Sequence, residues 1–125
     1  MSDKELEFTV SSRCVVIVFT GEYDHSDLRA TLKRISLEPS FEKNSDVICD
    51  ARKSRSSPSV NEIRKMLDVI QMSDNDFSGR WAVLVGDPLR FGLTRMAGVF
   101  GEVVGVHIRP FKEMQEAVDW LRTGV

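Results

Sequence analysis

The sequence predicts an α/β domain, a five-stranded mixed sheet in the order β-β-α-β-α-β-α-β-α with its helices mainly on one face. Three observations predict it. The short apolar runs Cys14 to Phe19, Val47 to Cys49 and Trp81 to Val85 have the composition of strands buried on both sides. Stretches with apolar residues three or four apart alternate with those runs, as helices do in βαβ units. The stretch Arg80 to Phe100, RWAVLVGDPLRFGLTRMAGVF, contains a strand, a sharp Asp-Pro junction and an amphipathic helix in direct succession.

Leu6, Phe8 and Val10 alternate with polar residues, so residues 5–11 read as a half-buried strand. The tight link Ser11-Ser12-Arg13 joins it to Cys14–Phe19, and so short a link makes the pair an antiparallel hairpin. Gly21 breaks the run. Asp24 and Ser26 are candidate caps for a first helix, with Leu28, Leu32 and Ile35 on one face and Pro39 beyond its end. A polar loop at 40–45 precedes the third strand, Val47-Ile48-Cys49, which is expected to end at Asp50.

Ser59-Val60-Asn61-Glu62 has the spacing of a capping box, and Val60, Ile63, Leu67 and Ile70 mark the second helix. The loop SDNDFSG at 73–79 leads to the central strand. Asp87 then caps the third helix, and Pro88 takes its first position, where a missing N–H costs nothing. Leu89, Leu93, Met96, Ala97 and Phe100 share one face. Gly92 lies inside this helix and should cost about 1 kcal/mol against alanine; close packing on the sheet is the expected reason for it, ahead of room for a ligand. Val104, Val106 and Ile108 alternate as a fifth strand, and Met114, Ala117, Val118 and Leu121, flanked by Trp120, give the last helix. Right-handed crossovers that advance one way across the sheet put their helices on a common face. The opposite face then needs a cover, which a homodimer would supply.

A chain of 125 residues suits one domain spanning 1–125, and a hydrophobic fraction of 42% provides for a core. Seventeen basic and 19 acidic residues leave a net charge of −2, which argues against nucleic acid as a partner. The opening MSDKELEF has no apolar signal core, and no apolar run approaches the ~20 residues that span a bilayer, so a cytoplasmic location is expected. Cys14 and Cys49 fall inside expected strands and read as small buried hydrophobes. Their spacing makes no metal site, and the chain carries none of the usual nucleotide-binding or hydrolase motifs. No cofactor is expected.

Ligands of such sheets collect at the carboxyl ends of the parallel strands. Tyr23, Asp24 and His25 follow the second strand there; Asp50, Arg52, Lys53, Arg55, Ser57 and Ser59 follow the third; Asp87 and Arg90 follow the fourth. Helix N-termini at the same edge favour an anion. Ser59 reads first as a helix cap, and the basic residues near it as a solvated loop or the surroundings of a phosphate. His25 with Asp24 or Asp50 allows a small hydrolase, the least favoured reading. Phe91, Gly92, Met96 and Phe100 would line a crevice between helix and sheet, where Arg90 or Arg95 could pair with an acidic head group.

The run A-V-x-V-x-D-P-L-x-x-G-L-x-R-M at Ala82 to Met96 and the closing F-x-x-x-x-E-A-x-x-W-L at Phe111 to Leu121 resemble the bacterial SpoIIAA-like family. So does a third strand ending at Asp50 before a loop with serine and proline. That family has the STAS-type fold and is related to anti-sigma-factor antagonists, and the resemblance covers almost the whole chain. It implies a non-enzymatic regulatory module acting through protein–protein interaction. In the antagonists, a serine at the start of the helix after the third strand is phosphorylated by a partner kinase. Ser59 is the nearest match, with Ser57 beside it, although Pro58 and Val60-Asn61 stand where the usual Asp-Ser-x-Gly surroundings would be. The SpoIIAA-like branch further implies a carrier or sensor of a small apolar or amphipathic ligand, with peripheral membrane contact as a related role.

Overall fold

The computed structural model describes residues 5–124. Met1 to Lys4, the start of the stretch read above for a secretion signal, and Val125 lie outside the described residues. Strands β1 (Glu7–Ser11) and β2 (Cys14–Gly21) form the expected hairpin, with Ser11 opposite Cys14. Arg13, the second residue of the turn, has φ 59°, in the left-handed region. β3 (Asp46–Ser54), β4 (Trp81–Leu84) and β5 (Ile108–Phe111) add in parallel, and the sheet runs β1-β2-β3-β4-β5. The helices are α1 (His25–Ser36), α2 (Val60–Met72), α3 (Pro88–Val103) and α4 (Met114–Thr123).

Helices α1, α2 and α3 share one face of the sheet. Their Leu28, Leu32, Ile35, Ile63, Leu67 and Ile70 bury Val15, Ile17, Phe19, Val47, Cys49 and Trp81. Helix α4 lies on the other face, where Ala117 and Trp120 pack with Ile48, Ala82 and Leu84. The division follows from the connections. A helix joining two parallel strands must return right-handed, so strands advancing one way keep their helices on one side. α4 joins nothing onward in the sheet and is free to cover the apolar stripe left behind. The face expected to be bare is therefore covered over β3, β4 and β5. What remains open beside it is the hairpin, with Glu7, Thr9 and Ser11 exposed and Cys14, Val16 and Val18 half-buried.

Besides shifts of one or two residues at the ends of β1, β2 and β4, two larger differences from the sequence reading stand out. β3 continues past Asp50 to Ser54, because the long β2 still offers partners there: Thr20 opposes Lys53 and Gly21 opposes Ser54. β4 ends opposite Asp50, so this extension stands clear of the middle of the sheet and tolerates the exposed Arg52 and Lys53. At the other end of the chain, α3 runs on through Val103. Val104 and Val106, expected in a strand, instead form its cap and the turn beyond it, where Gly105 adopts φ 80°.

The glycines of α3 divide by role. A Cβ on Gly98 would lie 2.7 Å from the carbonyl oxygen of Ile108, and one on Gly101 would lie 2.6 Å from that of Val106. Those two let the helix rest on β5 and the turn before it. Gly92 faces open space, so the close packing expected of it belongs to Gly98 and Gly101.

Candidate functional site

A cavity of about 120 Å³ lies between the sheet and the helix pair α2–α3. Its floor comes from alternate residues of β3 and β4, Cys49, Ala51, Trp81 and Val83, because every second side chain of a strand faces the same way. Its roof is one stripe of each helix: Ile63, Met66, Leu67 and Ile70 of α2, and Arg90, Leu93, Thr94 and Ala97 of α3. Both stripes have the i, i+3, i+4, i+7 spacing of a single helical face. Cys49 and Ala51 in the floor and Ala97 in the roof are small side chains, which leave room in the lining. The cavity reaches from Val85 at the carboxyl end of β4 to Trp81 at its start, about 13 Å at the rise of a parallel strand. Trp81 is 1% exposed, and its indole N–H has no hydrogen-bond partner.

The carboxyl-edge rim is polar, and most of its groups are already engaged. Ser56 Oγ accepts from the Tyr23 amide at 2.9 Å and donates to the Tyr23 carbonyl at 3.2 Å. Ser54 Oγ donates to the Gly21 carbonyl and accepts from the Ser56 amide. Thr94 Oγ1 donates to the Arg90 carbonyl at 2.9 Å. Burial pushes the Tyr23 phenol up to about 12, with Arg90 and a Ser54 hydrogen bond acting against it, so the hydroxyl keeps its proton. The Arg90 side chain is 17% exposed; it donates through an Nη to the Ser54 carbonyl, and its Nε lies 3.5 Å from Asp87 Oδ2. Asp87 Oδ1 meanwhile accepts from the Arg90 amide at 2.8 Å and caps α3.

Of the residues proposed from sequence, Tyr23 and Arg90 line the cavity, and Asp87 sits behind Arg90. His25 stands at the start of α1 and pairs with Glu62 of α2, 2.9 Å from Nδ1 to Oε2. Neither carboxylate once considered for it is its partner. Asp24 caps α1 in a full capping box with Asp27, and the Ser26 hydroxyl and the capped amides hold its carboxyl below the usual range. Asp50 and Arg52 lie on the α4 side of the sheet, joined by bonds of 3.0 and 2.9 Å that hold the Asp50 carboxyl down.

Ser59 is exposed and caps α2 by accepting from the Glu62 amide at 3.1 Å; Ser57 is exposed in the loop before it. Phe91 lies under the side chains of Arg95 and Lys112, outside the cavity lining. Gly92 and Met96 also lie outside it, and Leu89, expected to face inward, is 63% exposed, since the inward stripe of α3 is Arg90, Leu93, Thr94 and Ala97. Phe100 lines a separate, more open groove of about 370 Å³, with Arg64 over its ring, between α2 and the end of α3.

Sequence reasoning missed Ser54, Ser56 and the apolar lining. For α3, the spacing of Arg90, Leu93, Thr94 and Ala97 held the signal, but a stripe with an arginine and a threonine ranks below the more apolar stripe beside it. Both cysteines are free, and burial pushes the Cys49 thiol up to about 12. Among the described residues, no group of three His, Cys, Asp or Glu side chains converges as metal ligands do. No helix there is long and apolar enough to cross a membrane.

This architecture, a hairpin leading into three crossovers with a free last helix, defines a SpoIIAA-like fold. The chain is similar to the crystal structure of an uncharacterized protein of the DUF3478 family with a SpoIIAA-like fold from Shewanella loihica PV-4, with a TM-score of 0.63. The match covers 97% of this chain and 98% of that one at 19% sequence identity, so the two share a fold. No family model and no curated protein matches the chain.

Proposed function

We propose that this chain is a non-enzymatic ligand-binding module with a STAS-like fold, in which a small apolar or amphipathic molecule occupies the cavity beneath α2 and α3. The cavity carries the reading. Protein interiors are packed to near-crystal density, and a crevice with room for about 120 Å³ leaves its apolar lining short of such contacts. A ligand recovers those contacts. The apolar lining with a polar rim at the sheet's carboxyl edge is the usual make-up of a small-molecule site.

The acid–base candidates read from the sequence have structural tasks, which supports a binding role over a catalytic one. His25 and Glu62 tie α1 to α2, Asp24 caps α1, and Asp50 binds Arg52 two residues along β3. Helix α3 is suited to report occupancy to a protein partner, because it roofs the cavity and exposes Leu89, Val99 and Val103 on its outer side.

The test is thermal denaturation with a series of straight-chain alcohols and acids, on the wild type and on Ala97→Leu. Binding should raise the wild-type melting temperature, and Ala97→Leu, which fills the void, should respond to none of them. A wild type that responds to no compound would contradict the reading.

A second reading has its own observation. The exposed Ser59 hydroxyl sits at the N-terminus of the helix that supplies Ile63, Met66, Leu67 and Ile70 to the cavity roof. A phosphate there would meet the positive end of the helix dipole. If Ser59→Asp and Ser59→Ala bind the same partners and ligands as the wild type, that switch is not in use.

A further inference from the structure

We infer that the ligand of this cavity is a small monocarboxylate, with an apolar body of about six carbons and its head group on Arg90. The inference rests on the cavity reading above and adds the chemical class. Three properties of the site lead to it.

The first is size. An engineered apolar cavity of about 150 Å³ takes up benzene. The present cavity, at about 120 Å³, is of that order, so its occupant is a single ring or a short chain. A long acyl chain would require the roof to lift.

The second is the sign of the rim. The hydroxyls of Ser54, Ser56 and Thr94 have partners within the protein, and the Tyr23 phenol is neutral. Arg90 is different. A guanidinium has five N–H donors and no acceptor, and the contacts to the Ser54 carbonyl and to Asp87 leave several of them unused. A donor-only cation at the rim of a largely apolar cavity selects an acceptor-only anion. A planar carboxylate can meet it with two parallel hydrogen bonds.

The third is the amount of charge. Asp87 stands 3.5 Å from Arg90 Nε, and its carboxylate already offsets part of that charge. Glu62, which holds His25, also acts on the Tyr23 phenol at the rim as a second negative group. One partly compensated cation accommodates one negative charge. A phosphate monoester, carrying nearly two, would meet repulsion from both carboxylates.

Calorimetric titration of the full chain with hexanoate, hexan-1-ol and hexyl phosphate tests this. Hexanoate should bind at least about tenfold more tightly than hexanol, the margin of a charge-assisted hydrogen bond, and hexyl phosphate should bind more weakly than hexanoate. Arg90→Met should abolish the preference for hexanoate while hexanol binding persists. Since Arg90 also holds Ser54, Asp87→Asn provides a second arm: asparagine still caps α3, and freeing Arg90 should tighten hexanoate and narrow the gap to hexyl phosphate. Equal binding of hexanol and hexanoate would overturn the carboxylate assignment and leave the cavity reading standing. Tighter binding of hexyl phosphate by the wild type would overturn the single-charge argument. If none of the three binds, the cavity reading fails and this inference with it.

Discussion

Glu62 turns away from the cap of its own helix and holds His25, accepting from the His25 backbone amide at 2.6 Å and lying 2.9 Å from its Nδ1. The capping box expected at Ser59 is therefore half formed: Ser59 accepts from the Glu62 amide, while the Glu62 carboxylate ties α2 to α1. Since one of the two bonds runs to backbone, the two partners are unequal. Glu62→Ala should lower stability by about 1–2 kcal/mol in urea denaturation, discounted because both side chains keep partial contact with water. His25→Ala retains the backbone bond and should cost less. A larger loss from His25→Ala than from Glu62→Ala would contradict this arrangement.

Glycine substitutions in α3 should separate by sign. Gly92 lies in the helix with open space where a Cβ would sit, so Gly92→Ala should stabilise the protein by up to about 1 kcal/mol. Gly98→Ala and Gly101→Ala would push against the carbonyls of Ile108 and Val106, and should each cost about 1–3 kcal/mol. Thermal melts of the three variants decide it, and stabilisation by Gly98→Ala would show that α3 does not rest on β5 as described.

Acid should weaken the fold through identifiable groups. The carboxyls of Asp24 and Asp50 are more acidic in the folded chain than in the unfolded one. Their contribution is therefore complete above the unfolded value of about 4, and is lost as pH falls through the lower folded values. Asp24→Asn and Asp50→Asn should lose less stability than the wild type between about pH 5 and pH 3. Asp24 is exposed, so solvent screening makes its share the smaller one. Parallel slopes for wild type and variants would remove these carboxyls from the pH dependence.

The cysteines should differ in reactivity. Cys49 is buried beneath the cavity with its thiol pushed up to about 12, whereas Cys14 is half-buried on the opposite face, its thiol raised by burial and by Asp46. A thiol reagent near pH 8 should label Cys14 first, and Cys49 only on unfolding. Early labelling of Cys49 would show that the roof over it opens readily.

Local signals in the sequence were read well. The caps Asp24, Ser59 and Asp87 and the hairpin turn at Ser12-Arg13 depend on residues within three or four positions of one another. Features that depend on distant segments were not legible in the same way. β3 extends because β2 is long, and α4 changes face because no strand follows it. The carboxyl-edge rule led to Tyr23 and Arg90, but it also gathered Asp50 and Arg52, which the strand's alternation places on the far face. The cavity is lined from strands and helices far apart in the chain, with small side chains such as Cys49, Ala51 and Ala97 among them, and no single stretch of sequence contains it.

The two tryptophans provide the decisive readout. Trp81 lines the cavity at its inner end, while Trp120 lies on the other face of the sheet, with Arg80 and Arg109 over its ring. In a ¹H–¹⁵N spectrum their indole N–H groups provide two resolved signals, one on each side of the sheet. Titration with hexanoate should move the Trp81 signal and leave that of Trp120 in place. If both stay fixed at saturating hexanoate, or if Trp120 alone responds, the cavity is not where this protein binds.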